Sequence, residues 1–355
     1  MKDAVAEGCE RLVSRIAKAE GNPLDLSELI LASASDNIGL FIFGRRYKFG
    51  NHEHRNLNTA LRDEFMASRD PSTLDSLPAF VTTLARLVPF TRAANLVVAV
   101  KHIQKFVSRH LPDHVDTYRD GDDRDFMDAY LRKCSEPDNC KSTYPMSSLI
   151  GNAGSFVLAG ANTVSAVLVR LLLLLATHAD TVQDRDVDEF MNSESQPSWE
   201  DRHSTPYTLA TIWEVHRWHP LLPLGVPRRA CQDVVIGEHF VPKDTTIIAN
   251  IWAVHNDPTF WNEPEKFDPT RFLNGDGSLA WEKAEKVVPF SVGKRMCPAE
   301  IFASVEIYVY LTRLTQKFFF LPEEGVAFDA NIPDALMMQP GRLRFRCIPR
   351  APPLP

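Results

Sequence analysis

The segment from residue 155 to residue 176 is apolar almost throughout, unbroken from Leu171 to Leu175, and long enough to cross a bilayer. Asn162, Thr163 and Arg170 stand in its interior. Each is costly in lipid, so the segment reads as a helix buried within a protein rather than a membrane span. Burying such a helix takes a large core, and 355 residues suffice for one, as one big or two ordinary domains. With 44% hydrophobic and 24% charged residues the chain is of ordinary globular composition, which excludes disorder over most of its length. A net charge of -7 gives nucleic acid no reason to bind.

Most of the first third is predicted helical. Helices are expected over residues 2–20, closed by Gly21-Asn22-Pro23, then from a cap at Asp25 or Ser27 to Phe43, ending near Gly44. Further helices are expected at 59–66, 77–87 and 93–110. The opening residues 2–7 are polar, with neither a leader nor an anchor pattern. His110 and His114 have a metal-like spacing, but Pro112 between them predicts a solvated turn. The run Asp120-Gly121-Asp122-Asp123-Arg124-Asp125 lacks the ligand order of a calcium loop and is expected to lead into a helix over 126–133. Residues 135–144 and 184–204 read as polar surface connectors with at most a short helix. After a helix at 207–218 the character changes to β, with short strands expected at 234–236, 240–241, 245–249 and finally 343–348. The fold class is therefore mainly α with small β-sheets, α+β.

Three groups of residues carry chemistry. In Pro289-Phe290-Ser291-Val292-Gly293-Lys294-Arg295-Met296-Cys297-Pro298-Ala299-Glu300, one cysteine precedes a strongly periodic helix, with Pro298 where a first-turn proline is tolerated. A helix N-terminus and the nearby Arg295 favour a thiolate there, while Gly293 permits a tight turn and Phe290 shields the sulfur. No second cysteine stands at zinc or dithiol spacing, which leaves a lone nucleophile or a single axial thiolate. The six cysteines form no framework and fit a reducing compartment. Glu214 and Arg217 share a helix face between Trp213 and Trp218, so the pair is expected to be buried and to need a further partner, for which Arg271 is the candidate. In Ala159-Gly160-Ala161-Asn162-Thr163 a glycine permits close approach, and Thr163 is either a useful hydroxyl or a group that bonds back to the preceding turn.

In order along the chain, the AGxxT-like stretch at 159–163, the ExxR pair at 214–217, the FxPxRF segment at 267–272 and FSxGxRxC at 290–297 closely resemble the cytochrome P-450 family of haem-thiolate monooxygenases, microsomal branch. The resemblance is dense from residue 155 onward, a haem-binding core, and weaker upstream at 37–49 and 124–131 within what would be one family domain over 1–355. It implies haem b with Cys297 as the iron ligand, Arg295 and Arg228 toward the propionates, and Phe290, Gly293 and Ala299 shaping the cofactor's sulfur side. It also implies a buried structural triad of Glu214, Arg217 and Arg271. Gly160, Asn162 and Thr163 would serve oxygen on the other face, and Ala159, Leu221, Leu224, Val226, Leu336 and Met337 the substrate.

The implied activity inserts one oxygen atom from O2 into a lipophilic small molecule of xenobiotic, steroid or fatty-acid type. Its electrons would come from an NADPH-dependent cytochrome reductase, with cytochrome b5 as a second partner, on the cytosolic face of the endoplasmic reticulum membrane. Lys283, Lys286 and Lys294 would meet the reductase. Three departures from the family pattern stand out. Asn162 replaces an acidic residue, Ala299 replaces a glycine, and the anchor and first helices, about 130–150 residues at typical family length, are absent. Asn162 and the absent first helices motivate an alternative, a non-catalytic haem-binding or inactive fragment; a third reading, a same-fold isomerase acting on peroxides, sits poorly with Thr163.

Overall fold

The computed structural model describes residues 1–48, 50–68, 79–89, 91–119, 121–136, 144–177, 196–325 and 344–350. They are mainly helical with three small antiparallel sheets, the predicted class. Two compact units are distinguished, one built chiefly from residues 1–169 and the other from 170–321, each completed by short pieces from the C-terminal part.

The first unit contains α1 (Lys2–Ala17), α2 (Leu26–Phe43), α3 (His52–Ser68), α4 (Ala79–Leu87), α5 (Arg92–Ser108), α6 (Leu111–Thr117), α7 (Phe126–Ser135) and the larger part of α8 (Leu149–Thr177). Asp25 caps α2 by accepting from the Ser27 and Glu28 amides, and Gly44, at φ 64°, closes it in the left-handed conformation that favours glycine. Beside the cap, strand β1 (Leu24–Asp25) pairs antiparallel with the C-terminal strand, Leu24 opposite Phe345. Helix α3 begins seven residues before the expected start because the Asn51 side chain accepts from the His54 amide, a cap hidden in a polar stretch.

The solvated turn expected at 110–114 does not form. Pro112 lies in the first turn of α6, where its missing N–H costs nothing, so it starts a helix instead of breaking one. Both histidines are buried. His114 Nε2 lies 2.8 Å from Asp125 Oδ2, and Asp125 also caps α7, so the pair joins two helices. The carboxylate raises the pKa of His114, and Arg124 holds Asp128, the third member of this cluster, below the usual carboxylate range. The cluster is thus neutralised within the protein.

The second unit takes the end of α8, α9 (Pro206–Trp218), strands β2 (Arg228–Arg229), β3 (Val234–Ile236), β4 (His239–Val241) and β5 (Thr246–Ile247), and helices α10 (Ile251–His255), α11 (Trp281–Ala284) and α12 (Glu300–Lys317). β2 pairs with β5 and β3 with β4, as the alternation with turn residues predicts. Ala210, Trp261, Phe272 and Val287 form a packed core under Trp213, and nearly every residue of α12 from Val305 to Thr315 is buried. Arg170, the charge in the apolar segment, donates to the His219 carbonyl at 2.6 Å, and burial lowers its pKa to about 10. A buried cation survives there because a carbonyl dipole replaces its water.

Candidate active site

Val287 anchors the loop that carries Cys297 to the core of the second unit. Past it the chain folds on itself. The Ser291 amide donates to the Val288 carbonyl, the Met296 amide to Gly293 and the Cys297 amide to Phe290 at 2.8 Å. Ser291 (φ 62°) and Gly293 (φ 77°) both take left-handed conformations, which turn the loop tightly enough for the last of these bonds. Cys297 is half-buried, and α12 begins three residues later with Ala299 as its N-cap. The helix therefore starts slightly further from the sulfur than the position of Pro298 predicts.

Two arginines meet this loop differently. Arg228 reaches across from β2 to donate to Ser291 Oγ at 2.8 Å, which ties a strand 63 residues earlier to the sulfur loop. Arg295 is exposed and has no hydrogen-bond or ion-pair partner among the described residues. Phe290 packs edge-on against His216, ring centroids 5.9 Å apart.

Behind the loop lies the pair that Arg271 was expected to complete, and the structure brings all three together. Arg217 donates through Nε and Nη2 to both oxygens of Glu214, at 2.7 and 2.8 Å, and Arg271 Nε adds a bond of 3.0 Å. Glu214 and Arg217 are completely buried. What offsets their desolvation is a full set of partners. The Asp268 amide donates to Glu214, while Arg217 donates to the carbonyls of His255, Pro264 and Lys266. The irregular segment after α10 is held by these cation-to-carbonyl bonds, since it has little secondary structure of its own.

His216, His219 and His255 stand around this pair, each with its pKa lowered to about 4, first by burial and then by neighbouring cations. A base whose folded pKa is depressed adds stability above its unfolded pKa and loses it as pH falls toward the folded value. These three therefore stabilise the protein above pH ~6.5 and cease to between ~6.5 and ~4. Unfolding free energy measured by denaturant titration is expected to fall through that interval by up to about 1.4 kcal/mol per pH unit for each group. A flat profile from pH 7 to 4 would contradict their burial as neutral rings.

The residues expected to serve oxygen lie on the part of α8 that belongs to the first unit. Ala159 is exposed, and Thr163 donates its hydroxyl to the Ala159 carbonyl at 2.6 Å, the back-bonded arrangement. Gly160 is where α2 comes close, since a Cβ there would lie 2.9 Å from Ile38 Cγ1. Asn162 is buried and donates its amide to the Leu61 carbonyl of α3 at 3.0 Å. A carboxylate cannot make that donation. Asn162→Asp is accordingly expected to lower stability by about 1–3 kcal/mol at neutral pH, read as a shift in denaturation midpoint, and an unchanged midpoint would remove the bond's significance.

Of the expected substrate residues, Leu221 is half-buried while Leu224 and Val226 are exposed; Leu336 and Met337 lie outside the described residues. Lys294 is exposed, and Lys283 is engaged with the Arg271 carbonyl. His216 and His255 were missed from the sequence. In α10 the apolar Trp252 and Val254 face outward while His255 is fully buried, the reverse of the pattern that marks a core position.

The sequence profile described as Cytochrome P450 matches residues 1–346. Over 99% of its length the chain is 32% identical to cytochrome P450 2J1 of Oryctolagus cuniculus and 30% identical to cytochrome P450 2J2 of Homo sapiens, covering 69% of each. Over 96% of its length it is 29% identical to cytochrome P450 1A1 of Pleuronectes platessa, covering 65% of that protein. With the cysteine loop, the buried Glu-Arg-Arg group and the mainly helical architecture already in place, these matches show that the chain belongs to the cytochrome P-450 family of haem-containing monooxygenases.

Proposed function

We infer that the protein oxygenates lipophilic small molecules of xenobiotic, steroid or fatty-acid type at a haem held by Cys297, with electrons delivered from NADPH by a cytochrome reductase and with cytochrome b5 as an accessory donor. The observation that carries this reading is the make-up of the cysteine loop. It offers one half-buried sulfur, an Arg295 without a partner among the described residues and a tethered Arg228, and the first turn of α12 beside it carries Ile301, 69% exposed. An iron porphyrin asks for a single axial donor, cations for its carboxylates and apolar cover. That donor set fits. When bound through a thiolate, haem supplies an iron centre that activates O2, and the electron-rich sulfur favours O–O cleavage.

The chain's own residues do the rest. Cys297 would supply the single sulfur donor, with Arg295 two residues before it in the same loop. Arg295 and Arg228 would bind the propionates, with Ser291 fixing the direction of Arg228. Phe290, Gly293 and Ala299 would shape the sulfur side of the pocket. On the oxygen side, Thr163 Oγ1 gives its own hydrogen to Ala159 and keeps lone pairs that would accept a hydrogen bond from a water and hold it there. Asn162 has no proton to lose at neutral pH, so we assign it the holding of α8 against α3, with Gly160 allowing the approach of α2. Ala159, Leu221, Leu224, Val226, Leu336 and Met337 would line the lipophilic site.

We place the protein on the cytosolic side of the endoplasmic reticulum membrane. Helix α2 and residues 146–177 are long and apolar enough to cross a bilayer, and both are mostly buried within the protein.

The test is the reduced carbon monoxide difference spectrum of the chain expressed with a haem precursor, followed by NADPH-dependent turnover of a lipophilic probe with purified reductase. A strongly red-shifted Soret band with product formation is expected. An unshifted band, or none, would overturn the assignment of Cys297, and a shifted band without turnover would leave the haem site standing and remove the electron source.

A further inference from the structure

His255 connects the two parts of the sulfur-side architecture, and nothing in the family signatures of this sequence required it to. Its backbone carbonyl accepts from Arg217 Nη1 at 3.0 Å, and its ring Nε2 accepts from the Val288 amide at 3.0 Å. Val288 is the first residue after the core anchor Val287, and its own carbonyl receives the Ser291 amide, which begins the fold of the cysteine loop. A chain of bonds therefore runs from Glu214 through Arg217 and His255 to Val288 and Ser291, where Arg228 joins it. Bonds in such a chain polarise and orient one another, so the peptide at Val288 is held at a defined angle and not merely buried.

The ring is buried and is held through one of its nitrogens. His255 is fully buried at the end of α10, whose first turn is capped by Asn250 and whose Val254 carbonyl accepts from the Trp261 indole at 3.1 Å. Because Nε2 accepts a backbone N–H, the neutral ring carries its proton on Nδ1, which is buried and makes no hydrogen bond among the described residues. His216 stacks edge-on with Phe290, whose carbonyl takes the Cys297 amide. His255 thus holds the start of the path whose far end is closed by the Cys297 amide on Phe290.

We propose that His255 is a positioning residue for the Cys297 sulfur, acting through the acceptor it offers to the Val288 amide and through the Arg217 bond at its own backbone. The proposal rests on the reading of Cys297 as the haem ligand. Its separable part, the His255–Val288 bond, is a property of the protein alone.

The experiment compares His255→Gln with His255→Asn. Both are neutral and polar; the glutamine oxygen extends to about the depth of Nε2 and the asparagine oxygen stops short of it. Amide hydrogen exchange at Val288 is read first, then the share of red-shifted against unshifted band in the reduced carbon monoxide complex. His255→Gln is expected to keep Val288 protected and the band shifted. His255→Asn is expected to speed Val288 exchange by about tenfold or more and to move a substantial share of haem to the unshifted form. Equal results for the two variants, including failure of both to fold, would overturn the proposal. If only His255→Asn fails to fold, His255→Gln decides, and loss of its shifted band or of Val288 protection is the overturning result. A wild-type chain without a shifted band would instead sink the haem reading, while the exchange comparison still judges the bond.

Discussion

Replacing Cys297 with serine is expected to eliminate the red-shifted Soret band of the reduced carbon monoxide complex and, with it, monooxygenase turnover, while leaving the fold close to intact. The loop's geometry depends on backbone bonds that the substitution does not touch, the Cys297 amide to Phe290 and the Met296 amide to Gly293. Cys297 is only half-buried, so exchanging sulfur for oxygen costs little packing, within about 0.5–1 kcal/mol. The chemistry changes completely, because a serine hydroxyl stays protonated at neutral pH and is no substitute for a thiolate. No other described cysteine is comparably placed. Burial pushes the Cys347 thiol up to about 12 and raises that of Cys134, which donates to the Tyr144 carbonyl at 3.1 Å; Cys9 is fully buried in α1, and Cys231 is exposed after β2. The checks are the difference spectrum, the haem content and the thermal midpoint of the variant. A full red-shifted band in Cys297→Ser would sink both the ligand assignment and the positioning role of His255.

The largest stability effect is expected at Arg217. Arg217→Ala removes both charged bonds to Glu214 and the donors to three carbonyls, leaving a fully buried carboxylate with Arg271 and one amide. Breaking a buried pair on one side costs about 3–5 kcal/mol, on the order of 10 °C in thermal midpoint for a protein of this size. Arg217→Lys keeps the charge, yet three rotating hydrogens at one point cannot serve a carboxylate fork and carbonyls spread from 255 to 266. It should lose most of the same stability. A lysine variant melting with the wild type would show that charge alone, not the planar fork, holds the segment after α10. Haem retention should fall in parallel in both variants, since that segment leads to His255 and the cysteine loop.

Local signals made most of the helices and the small sheets legible in the sequence. Asp25 and Gly44 bound α2 as expected because caps act over three or four residues and depend on little else. The Glu214–Arg217 pair and its need for Arg271 were also readable, since two flanking tryptophans imply burial and a buried carboxylate needs more than one partner. Two things were not. Pro112 reads as a breaker unless the neighbouring helices are known, because a proline in the first turn and one inside a helix look alike in a list of residues. His255 looks like a surface residue, as only the tertiary path of Val288 gives its ring a partner. The roles of Asn162 and Gly160 were open for a similar reason. Their neighbours, Leu61 and Ile38, are about a hundred residues away in sequence.

The largely apolar character of residues 146–177 matters before the protein is folded at all. While the chain is being synthesised, an 18-residue stretch of this segment has a mean hydropathy of 2.0 and no cover, and only Asn162, Thr163 and Arg170 distinguish it from a stop-transfer sequence. Correct delivery then becomes a race between the closure of α2, α3 and α5 over the nascent helix and its capture by the insertion machinery or by other unfinished chains. Substitutions that slow that closure, even where the finished protein tolerates them, will show as misrouted or aggregated product rather than as altered catalysis.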